Sequence, residues 1–143
     1  MFAKLKAKLS GASKKVSGRL DFLEAVCAAS ALVAAADGDV SREEEKAAKD
    51  AIAASSVLSN AFKANQIAKT ADTMFARALQ GRTGRLGLYK EIDDIASNDE
   101  LGEIVYTTAL DIAEADGNIC DKESAVLEKI AGRLGVNPAN FDV

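Results

Sequence analysis

Two stretches of the chain set acids on both sides of a glycine. One is Ala36-Asp37-Gly38-Asp39-Val40-Ser41-Arg42-Glu43-Glu44, and the other is Ala115-Asp116-Gly117-Asn118-Ile119-Cys120-Asp121-Lys122-Glu123. Both read A-D-G-x-[V/I]-x-x-x-E. Carboxylate, amide, hydroxyl and carbonyl oxygens are hard ligands suited to Ca²⁺, Mg²⁺ or Mn²⁺. The first copy offers Asp37, Asp39, Ser41, Glu43 and Glu44, and the second offers Asp116, Asn118, Asp121 and Glu123. The candidate metal ligands are Asp37, Asp39, Glu44, Asp116, Asn118 and Glu123. The alternation Asp37-x-Asp39-x-Ser41 is like the start of an EF-hand loop, yet the sixth and twelfth places fall on Arg42 and Ala48 instead of Gly and Glu. In the second copy those places fall on Asp121 and Leu127. Neither copy is an EF-hand. Each is short of ligands, so water, the other copy or a partner must complete the shell. The competing reading is a solvated helix-turn-helix with no ion.

Part of the motif is turn and capping chemistry. Gly38 and Gly117 can take the left-handed conformation that ends a helix. Ser41 and Glu44 have the spacing of a capping box. Cys120 is a poor cap, so Glu123 lacks half of that partnership. Asp37 and Asp116 stand at helix C-termini, where the dipole disfavours an acid. Asp37, Asp116 and Glu123 are therefore the acids that the fold alone explains least.

Other chemistry is limited. The chain has no histidine, which excludes Ser-His or Cys-His nucleophiles and the usual zinc triads. Paired carboxylates can share acid and base duties, but no nucleophile, oxyanion donors or ligand pocket accompany them, so no enzymatic activity is expected. Cys27 lies in an apolar run and is expected to be a buried small hydrophobe, with Cys120 more exposed. Residues 81–87 read G-R-T-G-R-L-G. They lack the Gly-Lys-Ser/Thr ending of a phosphate loop and follow no strand, so a flexible turn between repeats is expected.

The formal net charge of −4 conceals an asymmetry. Residues 1–20 hold Lys4, Lys6, Lys8, Lys14, Lys15 and Arg19 and no acid, so all 22 acids lie beyond them. The remaining body is strongly acidic, which suits cations or a basic partner and argues against nucleic acid. Residues 1–20 form a basic amphipathic segment. It either packs on the domain with a solvated lysine face or touches an anionic membrane or acidic partner. No run approaches the roughly 18 apolar residues of a membrane span, and no apolar signal region is visible. A cytoplasmic location is expected by default.

The elements that must position these acids are helices. Hydrophobic residues make up 48% but aromatic residues only 5%, with a single proline, so the core is built from Ala, Leu, Ile and Val in good helix formers. One helix is expected from about Asp21 to Ala36, with Asp21 as cap, Glu24 completing a capping box, and Leu23, Val26, Cys27, Ser30, Val33 and Ala34 on one face. Others are expected from after Ser41 to about Ser55, about Asn60–Leu79, Leu86–Ala96, Asp99–Ala115 and Asp121–Leu134, with a last turn through Phe141. The two motifs are offset by 116 − 37 = 79. Pairs under that offset include Val33/Ile112, Val40/Ile119, Ala47/Val126 and Ala51/Ile130, so apolar meets apolar on both sides of the turn. The expected architecture is all-α, as two pseudo-symmetric helix-turn-helix repeats. They form a single helical domain over 21–143, with repeat one at about 21–80 and repeat two at about 86–143.

The two A-D-G-x-[V/I]-x-x-x-E phrases, with the ending Leu134-Gly135-Val136-Asn137-Pro138-Ala139-Asn140-Phe141, resemble the TerB family of bacterial tellurite-resistance proteins. The resemblance covers nearly the full chain. It implies an all-α fold of about seven helices formed by two repeats, a cytosolic and non-enzymatic role in tellurite resistance and stress response, and divalent-metal binding through the acidic clusters. Ca, Mg, Mn or Zn are the candidate ions. It also implies work with a TerC-like membrane protein and a TerD-like protein, at the inner face of the membrane. The family's acids fall on Asp37 and Glu44, and on Asp116 and Glu123. Asn118 replaces Asp39 and Lys122 replaces Glu43, so the two sites need not be equivalent. The alternatives are an ion-independent acidic scaffold for a basic partner and a peripheral membrane protein acting through residues 1–20.

Overall fold

A computed structural model describes residues 16–115, 117 and 119–141. Among them are seven α-helices and no strand. They are α1 (Leu20–Ala34), α2 (Arg42–Ala54), α3 (Ser56–Ala61), α4 (Ala64–Ala78), α5 (Gly81–Ile95), α6 (Asp99–Ala115) and α7 (Asp121–Leu134), followed by a 3₁₀ turn at Pro138–Phe141. The all-α expectation holds, as does the number of helices. Most of the basic N-terminal segment, residues 1–15, lies outside the described residues.

Helix α1 is the hub. It packs most extensively on α5 and α4, then on α6, α7 and α2. Every residue from Ala25 to Val33 is buried, so the expected single apolar face is in fact the whole circumference. A helix that is apolar all round belongs inside, and its five alanines from Ala25 to Ala34 let neighbours approach closely. The one polar side chain in that stretch, Ser30, is satisfied by donating its hydroxyl to the Val26 carbonyl at 2.9 Å. These five neighbours lay apolar residues against it, such as Ile67, Ala71, Met74, Phe75 and Ala78 on α4.

The repeat is visible in the helix starts. Helices α1 and α6 begin at Leu20 and Asp99, and α2 and α7 begin at Arg42 and Asp121, so both pairs differ by the motif's own offset of 79. Contacts are reciprocal as well: α1 packs on α7 while α2 packs on α6, and α1 packs on α6. That is the contact pattern expected of a helix pair used twice. In sequence, helices α3, α4 and α5 separate the two pairs.

Three expectations need correction. The single helix expected over 60–79 is broken at Phe62, which takes an extended conformation (φ −136°, ψ 157°) as it buries its ring. The Lys63 N–H then donates to Gln66 Oε1 at 3.1 Å and starts α4. Asp21 is not a cap: Arg19 holds the N-cap position, and Asp21 sits inside the first turn, paired with Arg19 at 2.9 Å. That guanidinium holds the Asp21 carboxyl below its ordinary value. The third correction concerns residues 81–87, which are not a flexible turn but the first two turns of α5. A Cβ at Gly84 would run into the Arg77 carbonyl, and one at Gly87 would meet the Arg77 guanidinium. These glycines let α5 approach α4 closely. Arg77 also pairs with Glu91 at 3.1 Å across the same contact.

Candidate functional site

The two Asp-Gly loops are built by the helices that flank them. Helix α1 runs out as Ala35 N–H donates to the Ala31 carbonyl at 3.0 Å and Ala36 N–H to the Val33 carbonyl at 3.1 Å. Gly38 turns the chain with φ +92°, its N–H donating to the Ala35 carbonyl at 2.9 Å. Val40 then packs back on the core as a partly buried anchor. In the second loop Gly117 has φ +127° and donates to the Glu114 carbonyl at 3.2 Å, and Ile119 is the matching anchor. Both loops therefore need glycine at the same place for the same backbone reason.

Three acids of the first copy, Asp37, Asp39 and Glu44, accept from their own backbone. Asp37 Oδ1 accepts from the Asp39 N–H at 3.2 Å, and Asp39 Oδ1 accepts from the Val40 N–H at 2.9 Å. Ser41 Oγ accepts from the Glu44 N–H at 3.0 Å, and Glu44 Oε1 accepts from the Ser41 N–H at 3.0 Å. The capping box is complete. In the second loop Glu123 Oε1 accepts from the Cys120 N–H, again at 3.0 Å. Asp116 and Asn118 lie outside the described residues.

This corrects the reading of Asp37 and Glu123. Each was expected to be poorly explained by the fold, and each has a backbone partner in it. Asp37 closes the turn that its own position at a helix end would otherwise weaken. Glu123 reaches back to an orphan N–H at the start of α7 even though the residue in front of it is a cysteine. Cys120 is exposed and Cys27 is buried, as expected. Burial pushes the Cys27 thiol up to about 12, so it is chemically inert.

A prediction follows from the second cap. Cys120→Ser restores the hydroxyl that Ser41 supplies in the first copy. It should stabilise the protein by about 0.5–1 kcal/mol, and Ser41→Ala should destabilise it by about 1 kcal/mol. Urea melts of the two variants check this.

Asp37, Asp39 and Glu44 are all exposed on one loop and its following helix. Among the described residues no three His, Cys, Asp or Glu side chains converge in a way that holds a metal ion. The donor types fit a hard divalent cation, but the first loop alone does not make a shell of them. Each acid there keeps one oxygen on a backbone N–H, which leaves the other to solvent or a partner.

A second cluster escaped sequence reasoning. Arg82, Arg85 and Tyr89 on α5 meet Lys129 and Arg133 on α7 around a cavity of about 410 Å³. Lys129 Nζ lies 5.0 Å from the Tyr89 ring centre and the Arg133 guanidinium 4.5 Å, close enough for cation–π attraction. Arg133 also pairs with Asp93 at 2.8 Å. The acidic body thus carries a basic face, contrary to the charge count along the chain. The spacings 82/85 and 129/133 do put each pair on one helix face. Nothing in them says that the two faces meet.

Comparison with protein families matches residues 23–143 to the family described as "Tellurite resistance protein TerB". Searches of the curated proteins and of the solved structures gave no match. The family match takes in both Asp-Gly loops and both helix pairs that frame them, which is nearly all of the described fold, and the chain therefore belongs to the TerB family of tellurite-resistance proteins.

Proposed function

We propose that the chain is a non-enzymatic interaction module of bacterial tellurite resistance and stress response, working in the cytoplasm at the inner face of the membrane. Its working surface is the pair of Asp-Gly loops. A divalent cation (Ca, Mg, Mn or Zn) bridges the acids of a loop to oxygens supplied by a partner, and so controls docking. A TerC-like membrane protein and a TerD-like protein are the partners that family membership suggests, and residues 1–20 add contact with an anionic membrane. None of the described helices is long and apolar enough to cross a membrane, so the chain's own membrane contact in this reading is peripheral.

One observation carries the reading. Glu44 and Glu123 are both held by one oxygen at 3.0 Å from the N-cap N–H, which leaves a second carboxylate oxygen at the start of the helix that follows each Asp-Gly motif. The same arrangement built twice favours a role for the loops as a pair. Calorimetry with each of the four ions tests it. The wild type should give saturable heat, and Asp37→Asn combined with Asp116→Asn should remove it. Absence of heat and of amide shift changes at millimolar metal would sink the cation.

A second reading is an acidic scaffold that binds a basic partner with no ion. The backbone donors already engaged by Asp37, Asp39 and Glu44 favour it. Partner binding would then weaken steeply with salt and be indifferent to chelator, whereas the cation reading requires chelator to abolish it.

A further inference from the structure

The basic pocket between α5 and α7 uses none of the loop acids and calls for its own account. In a chain of formal net charge −4, four cations line one cavity and no acid lines it. Arg133 has Asp93 as partner. Among the described residues no ion pair engages Arg82, Arg85 or Lys129. Like charges gathered at one place repel one another, and a bound anion would reverse that cost. Arg82 also stands in the first turn of its helix, where the dipole disfavours a cation.

The remaining wall is apolar. Leu32 and Ala36 close it from the end of α1, with Val126 from α7. Leu86 stands at the rim, 58% exposed. The Tyr89 ring braces Lys129 and Arg133 and restricts where they can reach. Arg82 and Arg85 are left with guanidinium forks suited to bidentate contact with phosphate oxygens. A cavity of about 410 Å³ is the size of a small-molecule site and not of a bare oxyanion. Charge at one side and apolar walls at the other suit a molecule that has both.

We propose that this pocket binds a soluble organic phosphate of nucleoside diphosphate size. Its phosphates lie on Arg82 and Arg85, and the flat face of its base rests against Leu32, Leu86 and Val126. The proposal is independent of the cation reading, since either can fail without the other.

Calorimetry and amide chemical shifts of the full chain with ADP test it. Binding should be saturable, with the largest shifts at Ala36, Tyr89 and Val126. Arg82→Glu combined with Arg85→Glu should weaken it by about tenfold or more, and Arg82→Gln with Arg85→Gln serves if the charge reversal disturbs folding. Inorganic pyrophosphate, which has the charge without the nucleoside, should bind about tenfold more weakly than ADP. Lys46→Glu, at an exposed position on α2, should bind as the wild type does. No saturable ADP binding at millimolar concentration overturns the proposal. So does equal binding by the folded arginine variants or by pyrophosphate. Binding to phosphatidylglycerol vesicles without binding to ADP overturns the soluble ligand.

Discussion

Gly84→Ala should destabilise the protein by about 3 kcal/mol, a large share of a stability of about 5–15 kcal/mol. The new methyl would overlap the Arg77 carbonyl oxygen and come within 2.9 Å of the Gln80 Cβ. A backbone carbonyl cannot rotate aside, so α4 and α5 would have to separate, and the Arg77–Glu91 pair would be strained with them. Two neighbouring comparisons make the prediction sharp. At Gly87 the obstacle is the mobile end of the Arg77 side chain at 2.6 Å, so Gly87→Ala should cost much less. At Gly132, within α7, nothing lies within 4 Å. There the better helix propensity of alanine should prevail and stabilise by up to about 1 kcal/mol. Denaturant melts of the three variants decide between close packing and a flexible turn, because a flexible segment would give the same small effect at Gly84 as at Gly87.

The second large effect is expected at Phe22. Its side chain is fully buried near the start of α1, the helix on which most others pack. Phe22→Ala removes the ring and leaves a cavity, which typically costs about 3–5 kcal/mol. For a domain of this size the melting temperature should fall by about 10–15 °C. Leu20, two residues earlier and 53% exposed, is the control. Leu20→Ala should move the midpoint by only a few degrees. A thermal melt followed by circular dichroism compares the two, and equal losses would mean that α1 is not the centre of the core.

Much of this fold was legible because its signals are local. Alternating small and large apolar residues at helical spacing show in the chain itself, and the Asp-Gly turns mark where α1 and α6 stop. The 79-residue offset, read from the motifs, turns out to relate the starts of the helices as well. What was not legible depended on neighbours distant in space. Gly84 and Gly87 look like flexibility until Arg77 is seen against them. Phe62 has the right spacing for a helix but is pulled into an extended turn by burial of its ring. Glu123 looked unsupported because its capping partner was judged by the cysteine side chain, while the bond comes from the cysteine backbone. The basic pocket was hidden because charge was summed along the chain, and only the packing of α5 on α7 brings its arginines together.

The central position of α1 also bears on how the chain is made. α1 leaves the ribosome before any of the helices that cover it. Its chief neighbours α4 and α5 follow tens of residues later, and α7 comes last. Synthesis proceeds at about 5–20 residues per second, so the most apolar of the described helices waits for seconds without its surroundings. Exposed apolar surface of that kind is prone to aggregation while the chain is incomplete. The hazard ends only when the second helix pair arrives and closes over the first.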